Sequence, residues 1–314
     1  MSSILDPRVR PILALTLQPR DSEEGRRLKH ALSEIIEQDP ALKIDAESAD
    51  QQFLVGGMSE SHLDQTCDTL ADRYAIKFDV SEPRVRYLET IRGTGEAEGK
   101  YIRQTGGLGN YGHCRLRLEP NQPGKGFEFI NEIKGGVVPI EYIDPIKQGV
   151  QSAMEAGILG DFPMVDMRVM LFDGSYHEAD SNEMAFKIAG SIAFREAAKK
   201  ASPVLLEPVM DVEAGIPEEV VGAFINDINS RRGRIKDITC SNAWCEMRAI
   251  VPLSEALSNS AQGRLKYPMQ FLGYEPVPRG GWLEGDELGV TARKPHSPTR
   301  GRGSAAASLD SDSD

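Results

Sequence analysis

The sequence is poor in the features that membrane proteins and most enzymes require. Aromatic residues make up only 6% of its 314 residues, and it contains five histidines and four cysteines. Its apolar runs fall short of the roughly 18 residues that a membrane-spanning helix needs, and Pro11 and Pro19 interrupt the apolar start. No signal-peptide pattern is visible either. We therefore expect a cytoplasmic protein with no membrane partner.

The motifs of common catalytic sites are also absent. A phosphate-binding loop needs the pattern GxxxxGK[ST], whose backbone N–H groups and lysine surround the phosphates. The nearest segment starts at Gly95 and reads GEAEGKY; its glycines are one residue too close, and a tyrosine follows Lys100. GxSxG, HExxH and calcium-loop patterns are missing as well. The sequence therefore predicts no catalytic residues, no metal site and no cofactor in this chain.

The cysteines and the net charge exclude fewer functions than the missing motifs do. Cys240 and Cys245 are close, but their spacing is not the CxxC pattern of a zinc ribbon, and Cys67 and Cys114 are isolated. We expect four reduced thiols. The net charge of −12 argues only weakly against nucleic-acid binding, because the local placement of cations matters more than their sum.

Hydrophobic periodicity divides the chain into blocks. The first block alternates strand and helix patterns in the order β-α-β-β-α-β, with a helix expected from residue 22 to 38, and this order is typical of a ferredoxin-like domain. The third block repeats that order. The composition after the third block has too little apolar surface to offset the entropy of ordering. The predicted divisions are an N-terminal extension 1–10, a first domain 11–82, a middle domain 83–200, a third domain 201–277 and a disordered tail 278–314.

Two loops of the middle block look functional. Residues 103–112 carry four glycines within seven positions, which permits close backbone approach to a partner, although an ordinary flexible hairpin has the same composition. Residues 173–180 carry Tyr176 and His177, side chains that suit unpaired RNA. Asp180 and Ser181 are expected to cap the helix that follows. If both loops lie at one end of the domain, they form a single protruding tip.

A basic turn in the third block is a further candidate. Arg231, Arg232 and Arg234 follow a predicted helix and precede a predicted strand. Three cations in such a turn suit a phosphate contact, and a solvated turn is an equal alternative.

Long segments of the chain resemble the C-terminal portion of elongation factor G. They include GKGFEFINEIKGGVVPIEYI, ILGDFPMVDMRVMLFDGSYHEADSNEMAFKIAG, PVLLEPVMDVEAGIPEE and INSRRGRI, and the likeness covers about residues 11–277. The resemblance implies the third, fourth and fifth domains of that factor. The implied fold class is α+β, with two ferredoxin-like domains flanking an α/β domain like the second domain of ribosomal protein S5.

The resemblance also implies a role on the ribosome. The family's fourth domain mimics the anticodon arm of a tRNA and enters the small-subunit decoding region during translocation. The implied tip residues are Gly106, Gly107, Leu108, Gly109, Asn110, Tyr111, Ser175, Tyr176 and His177. Arg231, Arg232 and Arg234 would face large-subunit rRNA and the stalk base. The family's GTPase is not among the implied domains, so the chain would work either with a separately encoded GTPase half or without one, and GTP and Mg²⁺ would be involved only if such a half exists.

Departures from the family pattern leave alternatives open. The tip reads GGLGNYG where the family usually has GGRGQYG, so Leu108 replaces a cation and Asn110 is a shorter amide. The segment VPLSEALSNSAQGR is several residues shorter than its family counterpart, which predicts a truncated helix. The alternatives are a degenerate or regulatory truncated paralogue, a fragment of a ribosomal-protection factor, and an enzyme built on the middle fold.

Overall fold

The structure is a computed structural model that describes residues 11–47, 52–103, 109–257 and 267–278. The predicted extension 1–10 and almost all of the predicted tail lie outside these ranges. The described chain divides into two compact units, one of residues 14–84 and one built chiefly of residues 85–278. Within the described ranges, no helix is both long and apolar enough to cross a bilayer.

The first unit has the ferredoxin-like arrangement that the sequence predicts. Its elements are β1 (Leu13–Pro19), α1 (Ser22–Gln38), β2 (Lys43–Glu47), β3 (Gln52–Gly57), α2 (Glu60–Asp72) and β4 (Phe78–Val80). The strands lie in the order β2-β3-β1-β4. Helix α1 covers the predicted residues because Asp21 caps it, accepting hydrogen bonds from the N–H groups of Glu23 and Glu24. Its apolar face is buried through Leu28, Ala31 and Leu32.

The second unit begins with a sheet backed by two helices. Strand β5 (Arg84–Val85) comes before it in the chain and belongs to the sheet of β1. The elements that follow are β6 (Leu88–Ile91), β7 (Gly95–Arg103), β8 (Asn110–Pro120), β9 (Phe127–Asn131), a 3₁₀ turn (Ile140–Tyr142), α3 (Ile143–Ala156), β10 (Met167–Ser175) and α4 (Glu183–Lys200). The sheet order is β7-β8-β10-β9, and β9 runs parallel to β10. Helices α3 and α4 share a core with alternate residues of β8 and β10. The opposite side of this sheet is called the open face below.

Glycines in β7 let helix α4 lie directly on the sheet. A Cβ atom at Gly99 would lie 2.0 Å from the carbonyl oxygen of Ala189, and one at Gly95 would lie 2.1 Å from that of Ala197. Real Cβ contacts are never that short, so only glycine fits beneath the helix backbone. Gly95 and Gly99 are the two glycines of the segment GEAEGKY, which does not match the phosphate-loop pattern. Their role is to allow the helix to pack on the sheet.

The third block continues the second unit and repeats the ferredoxin-like order. Its elements are β11 (Pro203–Pro217), a 3₁₀ turn (Glu218–Val220), α5 (Val221–Ser230), β12 (Arg234–Ser241), β13 (Trp244–Pro252), α6 (Leu253–Ala256) and β14 (Met269–Pro276). The strand order β12-β13-β11-β14 matches that of the first unit. The expected truncated helix corresponds to α6, which has four residues. Leu253 and Ala256 of this helix are nevertheless buried.

Strand β6 precedes the middle sheet in the chain but pairs with the third. Its residues Leu88–Ile91 form antiparallel pairs with Pro203–Leu206 at the start of β11. Within β6, the side chain of Glu89 is fully buried. Its carboxylate accepts hydrogen bonds of 2.7–3.3 Å from the backbone N–H groups of Ile158, Leu159, Gly160 and Phe162. A single side chain therefore ties the loop after α3 to the third sheet.

The prediction of four reduced thiols is wrong for one pair. Cys240 and Cys245 form a disulfide. They are directly paired across the β12–β13 hairpin, which places the two side chains on the same side of the ladder. Metal-motif spacing could not reveal this pairing, because the hairpin register sets it. Cys67 and Cys114 are not part of this disulfide.

The Cys114 thiol is expected to resist alkylation in the folded protein. Cys114 is fully buried, and burial raises the pKa of its thiol to about 12, so almost no thiolate exists at pH 8. Incubation with N-ethylmaleimide at pH 8, followed by peptide mass spectrometry, should label the partly exposed Cys67 and leave Cys114 unmodified until denaturant is added. Equal labelling rates at both cysteines would contradict this.

Candidate functional site

The two predicted loops meet at one end of the middle sheet. Ser175, the last residue of β10, lies opposite His113 in the ladder with β8. The Ser175 hydroxyl oxygen is 2.7 Å from the Tyr111 hydroxyl and 2.8 Å from Nδ1 of His113. This hydroxyl bonds to two side chains of the neighbouring strand β8, so it connects the end of β10 to β8. We call residues 109–111 and 175–181 together the tip.

Asp180 joins the two loops of the tip. Its carboxylate accepts a hydrogen bond of 2.9 Å from the N–H of Gly109, and its carbonyl oxygen accepts one of 2.8 Å from the N–H of Tyr111. A Cβ atom at Gly109 would lie 2.8 Å from Cγ of Asp180, so a larger residue there would displace the Asp180 carboxylate. The side chains of Asn182 and Asn110 add a hydrogen bond of 2.8 Å. The loops are therefore held together by both backbone and side chains.

His177 and Tyr176 are the exposed side chains of this tip. The His177 side chain is 58% exposed, and its Nδ1 lies 3.3 Å from a carboxylate oxygen of Asp180. Its ring centre is 6.3 Å from that of Tyr111. Tyr176 is 45% exposed. The turn itself is rigid, because the N–H of His177 donates to the Ser181 hydroxyl and the N–H of Ser181 donates back to the His177 carbonyl.

Sequence reasoning named most of this tip but misassigned two residues. The structure brings Gly109, Asn110 and Tyr111 together with Ser175 and His177, whereas Gly106, Gly107 and Leu108 lie outside the described residues. Asp180 and Ser181 do not cap helix α4. Asn182 does so instead, accepting a hydrogen bond from the N–H of Ala185, because the other two side chains bind within the tip. His113 and Asn182 were missed; the alternation of β8 could have placed His113 on the same face as Tyr111.

The predicted basic turn is occupied by internal ion pairs. Arg231 is only 3% exposed; its Nε donates to Asp227 at 2.8 Å, and a terminal nitrogen donates to the Glu255 carbonyl at 3.0 Å. A direct phosphate contact by Arg231 is therefore incompatible with this structure. The sequence could not show this, because Glu255 comes from a distant element.

Arg232 and Arg234 also have carboxylate partners. Arg232 donates two hydrogen bonds, of 2.8 and 2.9 Å, to the buried carboxylate of Glu207. This bidentate pairing raises the pKa of the Arg232 guanidinium further above its ordinary value. Arg234 pairs with Glu275 and keeps 60% of its side chain exposed. Of the three arginines, Arg234 keeps the most side chain available for a partner.

Within the described ranges, no group of three histidine, cysteine, aspartate or glutamate residues is arranged to hold a metal ion. The exposed side chains of the tip include the Tyr176 ring and the His177 imidazole. Such groups stack on unpaired bases and hydrogen-bond to ribose hydroxyls.

Comparison with known proteins places all three folded blocks in one family. Family models match residues 9–82 as elongation factor G domain III, 83–202 as domain IV and 204–280 as its C-terminus. A crystal structure of a protein from Thermus thermophilus is 36% identical with a TM-score of 0.62 over 89% of this chain. The alignment spans 42% of that longer chain. The chain thus belongs to the elongation factor G family and corresponds to its C-terminal domains.

Proposed function

We propose that this chain binds the ribosome and directs its tip at the small-subunit decoding region, where it promotes or secures the translocation of tRNA and mRNA. The proposal depends on the hydrogen bonds of Ser175 and Asp180 that join the two loops of the tip, called the clasp below. In this arrangement His177 and Tyr176 are exposed to solvent. Membership of the elongation factor G family supports a ribosomal partner. The action is by occupancy, because no covalent step is required of any side chain.

The clasp suits this role because the tip must hold its shape against RNA. A side chain that is fixed before binding loses less conformational entropy when it stacks on a base. Arg234 is the candidate for the contact with large-subunit rRNA near the stalk base. The sequence contains no phosphate-binding loop, so GTP hydrolysis coupled to this role would come from another segment or from a separately encoded GTPase half.

Loss of the His177 imidazole is expected to weaken ribosome binding. Stacking of one side chain on a base contributes about 1–3 kcal/mol, so His177→Ala should reduce affinity for 70S ribosomes about tenfold. Cosedimentation of the purified chain with 70S ribosomes at low and moderate salt measures this, since phosphate contacts weaken with salt. Leu108→Arg, which restores the family's cation, is expected to strengthen the salt-sensitive binding.

The matched control is His30→Ala. His30 is also an exposed histidine beside a carboxylate, at 3.4 Å from Glu34 on helix α1, but it lies far from the tip in sequence and in another domain. Its loss should leave cosedimentation unchanged. Equal losses in both variants would argue against the tip, and no binding at any salt would favour a degenerate paralogue that folds without this function.

A further inference from the structure

A cavity lies on the open face beside the tip. It is open to solvent, has a volume of about 570 Å³ and is lined by Glu132, Lys134, Val137, Phe172 and Asp173. Phe172 and Asp173 belong to β10, and the loop after β9 supplies the other three. The N–H of Glu132 donates to the Leu171 carbonyl at 2.8 Å, which holds this loop along the strand. Asp173 precedes Ser175 by two residues, so the cavity is about 7 Å along the strand from the tip.

An aromatic ring forms one wall of the cavity. Leu171 belongs to the buried core beneath the helices, whereas Phe172 is partly exposed on the open face. The ladder shifts register between Leu171 and Asp173, and such bulges redirect side chains. The guanidinium groups of Arg115 and Arg117 each lie 5.3 Å from the centre of the Phe172 ring. Both guanidinium groups therefore lie over the ring in cation–π contacts, and the Phe172 side chain itself lines the cavity.

The remaining residues around the cavity provide charged side chains and an accessible stretch of backbone. Lys134 is exposed, and Gly135 and Gly136 follow it with φ of 70° and open space where a Cβ would be. A ribose-phosphate chain can approach such a backbone closely. Glu132 and Asp173 place carboxylates at the same cavity, and Asp173 already accepts hydrogen bonds from Arg115 at 3.4 Å and from the N–H of Gly174 at 2.8 Å. The Glu132 carboxylate disfavours a bare phosphate there and favours a group that donates hydrogen bonds.

We propose that this cavity binds the base of an unpaired RNA nucleotide that carries an exocyclic amino group. The base stacks on Phe172. Its amino group donates to the Glu132 carboxylate, as cytosine N4 does to Glu or Asp in direct readout. Lys134 neutralises the adjoining phosphate. The inference rests on the proposed function only in taking RNA as the partner, and it adds a second contact beside the tip.

Binding of short single-stranded RNA by the full chain tests this. Fluorescein-labelled hexacytidylate and hexauridylate are titrated at low salt and followed by fluorescence anisotropy. These probes differ chiefly in the amino group, so hexacytidylate should bind several-fold more tightly. Phe172→Leu should weaken its binding about tenfold, while Phe172→Tyr should retain it. Glu132→Gln should reduce the preference for cytidine. Circular dichroism confirms that each variant is folded.

Trp244→Leu is the matched control. Trp244 is 58% exposed on β13, in the third block, so its loss should not change oligonucleotide binding. An equal loss in Trp244→Leu and Phe172→Leu, or equal affinity for the two probes, would overturn the cavity assignment. Ribosome cosedimentation without oligonucleotide binding would overturn it and leave the proposed function standing. If the chain binds the oligonucleotide through Phe172 but does not cosediment with ribosomes, the cavity assignment stands and the proposed function is overturned.

Discussion

Replacement of Gly99 by alanine is expected to destabilise the second unit by about 3 kcal/mol, the upper part of the usual range for overpacking. The new Cβ would lie 2.0 Å from the Ala189 carbonyl oxygen and 2.6 Å from the Ala193 nitrogen. Both atoms belong to the helix backbone, so no side chain can move aside to relieve the contact. Helix α4 would have to lift from the sheet. Urea denaturation followed by circular dichroism measures the change.

Gly215→Ala provides the control for this substitution. Gly215 also lies in a strand, β11, and has nothing within 4 Å of its expected Cβ position. Alanine there should leave the free energy of unfolding unchanged or raise it slightly, because the unfolded chain loses freedom. If Gly99→Ala were as stable as Gly215→Ala, the close approach of α4 to β7 would be wrong.

Substitution of Glu89 by glutamine is expected to cost about 3 kcal/mol or more. Hydrogen bonds to a charged group contribute about 1.5–3 kcal/mol each, and the carboxylate accepts from four backbone N–H groups in a fully buried position. An amide keeps the shape but turns an NH₂ group toward donors. Some of those N–H groups would then be buried without an acceptor.

Glu128→Gln makes the same chemical change on the exposed surface of β9. It should shift the free energy of unfolding by less than about 0.5 kcal/mol, as is usual for surface substitutions. Hydrogen exchange of the amides of Leu159 and Gly160 gives a local readout: exchange should accelerate in Glu89→Gln and stay slow in Glu128→Gln. Unchanged protection in Glu89→Gln would show that the carboxylate does not hold this loop.

Local periodicity was sufficient to predict most of the fold. Helix α1 and the repeated β-α-β-β-α-β order follow from apolar spacing and capping residues, which act over a few positions. Partners that are distant in sequence could not be predicted in this way. The Glu255 carbonyl that accepts from Arg231 belongs to α6, and the Glu207 carboxylate that accepts from Arg232 belongs to β11; tertiary packing creates both contacts. The Cys240–Cys245 bond is local, but it depends on the exact register of the hairpin.

In the candidate site too, some features could be predicted from local sequence and others could not. Motif and composition predict Tyr111, Ser175 and His177 as site residues, and the register of β8 and β10 brings these three residues together. The role of Asp180 was mispredicted, because a helix cap is a local preference and its bond to Gly109 spans 71 positions. The cavity beside the tip had no sequence signal, since Glu132 and Phe172 are separated by a whole helix.

The pairing of β6 with β11 bears on how the chain folds. A break at residue 203, between the two family domains, would leave β6 without its partner strand and expose the backbone groups that now form the ladder. Neither piece could then complete its native hydrogen bonding alone. The middle and third blocks should therefore melt in one cooperative transition, even though sequence comparison counts them as two domains.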